Sequence, residues 1–110
     1  MEDYTCEMME LYNKVLQLIA ESVGMSNYYS THLGQGKVLL RMNMYDLPSK
    51  LPNETVGLGT HTDLGSLSLL LEDDCGGLQV CDKAGHWIDV KPIPNTFIAM
   101  LGDCFQVSCM

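Results

Sequence analysis

Between positions 2 and 24 the apolar residues Tyr4, Met8, Leu11, Val15, Leu18 and Ile19 recur three or four apart. That spacing lines side chains up along one side of a 3.6-residue turn. It predicts one amphipathic helix, stopped by Gly24, with the Met and Leu stripe as its packing face. From Lys37 the period falls to two. Val38, Leu40, Met42 and Met44 alternate with Leu39, Arg41, Asn43 and Tyr45, which predicts a strand with one apolar and one mostly polar face. The stretch DLPSKLPNE that follows holds Pro48 and Pro52. Proline brings no N–H to a ladder, so this stretch reads as a loop.

Short strand signals then arrive in quick order at Ser66–Glu72, Leu78–Cys81, His86–Val90 and Thr96–Leu101, separated by DDCGG, DKAG and KPIPN. The rhythm predicts an antiparallel, mainly β body with an N-terminal helix. No internal repeat or low-complexity tract interrupts it. The one candidate boundary is the Gly34–Gly36 turn, which divides a helical segment, 1–36, from a β segment, 37–110. At 110 residues the chain suits one small core.

Composition narrows the classes of function. With 46% hydrophobic and 18% charged residues, there is enough apolar surface to offset chain entropy, so a folded protein is expected. Six basic residues against fourteen acidic ones give a formal charge of -8, which repels phosphate backbones and anionic headgroups. Neither nucleic acid nor a membrane surface is expected as a partner. Apolar runs such as 67–71 fall far short of the roughly 20 residues of a spanning helix. The first ten residues carry acids where a secretory leader carries bases. The five cysteines are odd in number and contain no CxxC pair, which suits a reducing cytoplasm and scattered core thiols.

The candidate chemistry lies in GLGTHTDLGSL, residues 57–67, where His61 and Asp63 stand two apart among glycines. In an extended segment, residues i and i+2 project from the same face, so imidazole and carboxylate can converge on one point. These are two of the donors of a ferrous site built from two histidines and one carboxylate. The triplet alone favours the plainer alternative of a surface turn with a polar His and a capping or solvated Asp. Gly57, Gly59 and Gly65 permit close backbone approach around the pair. Arg41, Asn43 and Tyr45, on the polar strand face, are either the wall of a cavity for a small carboxylate or an exposed face.

Taken in order, RMNMY, GLGTHTDLGSLSLLLEDDCGGLQV, GHWIDVKPIPNTFIAMLGD and Gln106 resemble the plant-type 2-oxoglutarate and Fe(II)-dependent dioxygenases, the flavonoid and gibberellin oxidases among them. The likeness covers about residues 37 to 107, and the helix before it looks like the long helix preceding that family's catalytic barrel. The resemblance implies a partial double-stranded β-helix, a jelly roll of the cupin type. It implies Fe(II) held by His61 and Asp63, 2-oxoglutarate as cosubstrate beside Tyr45, Asn43 and Arg41, and a small organic substrate. Leu67, Leu69 and Leu71, alternating with Ser66, Ser68 and Leu70, look like barrel strand; Gly76 to Gln79 look structural.

The family completes its site with a second histidine and an Arg-x-Ser pair beyond the Gly-Asp step. Here the sequence ends at QVSCM, with no histidine after His86 and no arginine after Arg41. His86, before Trp87, is expected at the surface and not on the metal. Two expectations follow. One is an oxygenase whose catalytic core is incomplete in this chain. The other is a truncated, non-catalytic product whose open sheet edges favour association with itself or with a full-length relative.

Overall fold

The computed structural model describes residues 2–32, 36–45 and 56–108. Helix α1 (Glu2–Ser22) leads into a short α2 (Ser26–Thr31); four strands follow, β1 (Leu67–Leu70), β2 (Gln79–Cys81), β3 (Trp87–Asp89) and β4 (Ile98–Leu101), and α3 (Asp103–Ser108) comes last.

The first helix begins with Glu2 and Asp3, whose negative charge suits the positive end of the helix dipole. It ends where expected. Gly24 takes φ 75°, a left-handed conformation that a side chain resists, and the Met25 N–H turns back to the Ala20 carbonyl at 2.7 Å. The chain then doubles back as α2, which the sequence pattern did not predict. The Tyr29 hydroxyl donates to the Asn13 carbonyl at 3.2 Å and ties α2 to α1.

The packing face of α1 is rotated from the predicted stripe. Leu16 and Ala20 are fully buried and Tyr12, Val15 and Ile19 pack beside them, while Tyr4 and Leu18 are about half exposed. A residue advances 100° around a helix, so a partner offset by one position selects a different row. Here the partners are Leu67 of β1 and Phe105 of α3, which complete the core with Leu16. Burying a side chain such as Phe105 contributes about 1.5–3 kcal/mol.

All four expected strands after residue 60 form, each shorter than its pattern. Strand β1 pairs antiparallel with β4, Leu67 opposite Leu101 through Leu70 opposite Ile98. Strands β2 and β3 form a hairpin inside that pair, Gln79 opposite Asp89 and Cys81 opposite Trp87. The result is two separate two-stranded ribbons, the second lying within the first in chain order, with helices covering more of the described residues than strands do. The body is therefore a small mixed α and β unit with antiparallel sheets.

The strand predicted over 37–45 is not one. Lys37–Tyr45 carries no ladder, and Leu39, Met42 and Met44 are largely exposed. Alternation is only a capacity to pair, and among the described residues the ladders join β1 to β4 and β2 to β3 alone. The loop expected over 46–54 and Gly34 of the expected boundary lie outside the described residues. No described helix is long and apolar enough to cross a membrane.

Candidate metal centre

The segment from Val56 to Gly65 has no regular structure and runs directly into β1. The turn between β4 and α3 holds it in place. Gly102 N–H donates to the Ser66 carbonyl at 3.0 Å, Asp103 N–H to the Asp63 carbonyl at 2.8 Å and Cys104 N–H to the Gly65 carbonyl at 3.2 Å. The Thr62 hydroxyl adds a bond to Asp103 Oδ2 at 2.7 Å. This close approach requires glycine at 102. A Cβ there would overlap the Gly65 carbonyl oxygen and stand 2.7 Å from that of Asp63. Phe105, three residues further on, is buried against Leu16 and Leu67, so the core itself anchors the clamp.

Within the clamped segment His61 Nε2 lies 3.5 Å from Asp63 Oδ1. The two side chains converge as expected, although a loop and not a strand brings them together. Their remaining polar atoms are occupied. His61 Nδ1 is 2.8 Å from the Gly59 carbonyl oxygen, and Ser68 Oγ donates to Asp63 Oδ2. A carbonyl only accepts, so Nδ1 carries a proton, and Nε2 is the ring nitrogen turned to Asp63. Nε2 faces a carboxylate oxygen, and in the unprotonated ring these two atoms can both donate lone pairs to one cation. Adjacent ligands on a first-row ion with bonds of 2.0–2.2 Å stand about 3 Å apart, so the observed separation fits after a small closure. Side-chain exposures of 52% for His61 and 33% for Asp63 leave the point between them open to solvent.

The pair fits two positions of such an ion. Among the described residues no group of three or more His, Cys, Asp or Glu converges on one point. His86 sits where expected, on the surface, 3.1 Å from Asp82 in the β2–β3 turn. There Asp82 Oδ1 accepts the N–H groups of Ala84 and His86 at 2.8 and 2.9 Å. Those bonds, the backbone one from His86 first, hold the Asp82 carboxyl below its usual range.

The other expected site residues are less closely placed. Tyr45 lies against the backbone of Gly57, at the start of the site segment, where a Cβ would come 3.2 Å from its ring. Arg41 and Asn43 are exposed, and no hydrogen bond or ion pair joins them or Tyr45 to His61 or Asp63. The sequence reading missed three contributors. Ser68, taken as plain strand, bonds Asp63; Thr62 and Asp103 bond each other across the clamp. The Gly-Asp step was a visible signal without a role, and its role is to join β4 to the site segment.

Comparison with known proteins now bears on this geometry. Residues 21–109 match the model of the 2OG-Fe(II) oxygenase superfamily. The chain belongs to that superfamily. It is 32% identical to 1-aminocyclopropane-1-carboxylate oxidase homolog 4 of Arabidopsis thaliana, over 97% of this chain and 30% of the relative. It is 34% identical to gibberellin 2-beta-dioxygenase 3 of the same plant, over 96% of the chain and 33% of the relative. With thebaine 6-O-demethylase of Papaver somniferum it shares 37% identity, over 96% and 30% respectively. The chain thus spans about a third of the length of these curated relatives. No solved structure matches it.

Proposed function

We propose that this chain is part of an Fe(II)- and 2-oxoglutarate-dependent oxygenase that hydroxylates or desaturates a small organic metabolite. The observation that carries the reading is the facing pair of His61 Nε2 and Asp63 Oδ1 in a member of the 2OG-Fe(II) oxygenase superfamily. His61 and Asp63 would hold the iron through these two atoms. When bound, iron supplies oxygen activation coupled to decarboxylation of the cosubstrate. Arg41 offers a charge-assisted contact to a carboxylate, and Asn43 and the Tyr45 hydroxyl offer neutral hydrogen bonds. The nested pairing of β1 with β4 around β2 and β3 supports a jelly-roll half as the architecture of this part. The relatives are named for small organic compounds, which supports that class of substrate. The free thiols of Cys6, Cys75 and Cys81 support a cytoplasmic setting.

Anaerobic titration of the chain with Fe(II) and then 2-oxoglutarate tests this, followed by the visible charge-transfer absorption of the chelated cosubstrate. A saturable band that disappears in His61→Ala and Asp63→Ala is the expected result. A folded chain that gives no band would overturn iron and cosubstrate binding by these residues.

A second reading, a non-catalytic chain that associates through open sheet edges, is favoured by the exposure of Val80, Trp87 and Ile88 on the β2–β3 hairpin. Sedimentation equilibrium separates the two. A monomer that develops the band excludes it, whereas a concentration-dependent dimer without the band supports it.

A further inference from the structure

We propose that Ser68 is a positioning residue of the metal centre, fixing Asp63 so that a single carboxylate oxygen, Oδ1, is presented to the ion. The inference rests on the reading of His61 and Asp63 as metal ligands and adds a role that the ligands themselves do not reveal. Asp63 lies in an irregular segment, where a carboxylate can rotate and exchange its two oxygens. Ser68 lies on β1, a strand held by the burial of Leu67 and by its ladder with β4, in which Ser68 stands opposite Met100. Strand alternation turns Leu67 and Leu69 toward the core cluster and Ser68 the other way, toward the site segment. Its hydroxyl donates to Asp63 Oδ2, so a strand residue holds one oxygen of a ligand whose own segment has no regular structure.

The consequence is a division of labour among the four polar atoms of the pair. The Gly59 carbonyl takes His61 Nδ1 and Ser68 takes Asp63 Oδ2, leaving Nε2 and Oδ1 facing each other at 3.5 Å. The Ser68 bond occupies one lone pair of Oδ2 and fixes the carboxylate rotation with Oδ1 toward His61, which favours one-oxygen coordination. One-oxygen binding keeps a coordination position open for another donor. Partners of this kind, bonded to a ligand and not to the metal, typically alter metal affinity 10–100-fold.

The test compares the wild-type chain with Ser68→Ala, Ser68→Thr and Asp63→Ala. Mn(II) is the probe, with free ion read from its electron paramagnetic resonance signal. Ser68→Ala is expected to weaken binding about 10–100-fold, Ser68→Thr to restore it, and Asp63→Ala to abolish it. In the metal-free chain, the Asp63 carboxyl carbon resonance is expected to shift in Ser68→Ala and return in Ser68→Thr, with the core methyl resonances unmoved. Wild-type affinity in Ser68→Ala, or an unshifted Asp63 resonance, overturns the role of Ser68 and leaves the site reading intact. Unchanged binding by Asp63→Ala, or no binding by the wild-type chain, overturns the site reading and the inference with it.

Discussion

The corner formed by α1, β1 and α3 and the hairpin formed by β2 and β3 differ in what holds them. The corner buries Leu16, Leu67 and Phe105 together and carries the site segment on its clamp. Every strand residue of the hairpin is exposed, and its local order comes from three ladder pairs and the bonds around Asp82. Two strands without a packed face are marginal in water. The candidate chemistry therefore sits on the part that tertiary packing fixes, and the turn with the third histidine on the part that only local bonds fix.

Substitutions at the two places should separate them. Phe105→Ala is expected to lose about 3–5 kcal/mol and Leu16→Ala about 2–5 kcal/mol, read from urea unfolding, because each empties a buried position. Comparable stability in Phe105→Ala would mean that the corner is not the cooperative core. Gly102→Ala is expected to cost about 3 kcal/mol, at the upper end of overpacking, since the added carbon meets backbone that cannot rotate away. It should also displace the His61 ring resonances, which Phe105-remote hairpin changes leave in place. Ile88→Ala, on the hairpin, is expected to stay within about 0.5 kcal/mol.

The two regions also answer differently to pH. Burial raises the Tyr12 phenol above its usual range, partly offset by the bond from the Leu67 backbone and reinforced by Tyr29. A group raised on folding stabilises fully below its unfolded value and loses that contribution as pH climbs through the folded one. The corner should therefore weaken above about pH 10, and Tyr12→Phe should remove that alkaline dependence. Asp82 has the opposite sign. Its depressed carboxyl stabilises the hairpin above its unfolded value near 3.8 and loses that contribution as pH falls through the lower folded value. This is the smallest effect expected. Amide exchange at Ala84 and His86 between pH 5 and pH 2 should show it, and Asp82→Ala should abolish it.

Much of the fold was legible because it depends on near neighbours. The 3.6-residue spacing up to Gly24 marked α1, and short alternating runs between glycines, prolines and acids marked β1 to β4. The His-x-Asp triplet was legible for the same reason, since two positions along a chain set how far apart the side chains can be. Residues 37–45 show the limit. Their alternation is as regular as that of any strand here, yet pairing needs a partner, and the pattern carries no information about whether one is free.

From the sequence alone came α1, the order of the four strands after residue 60, the acidic character and the facing pair of His61 and Asp63. Tertiary structure alone decided which row of α1 is buried, that Gly102 must approach the backbone of residues 63–65, and that Ser68 rather than solvent holds the second oxygen of Asp63. The reason is range. Periodicity records preferences over a few residues, whereas Thr62 meets Asp103 and Leu16 meets Phe105 only because a β-ladder and a shared core bring distant segments into contact.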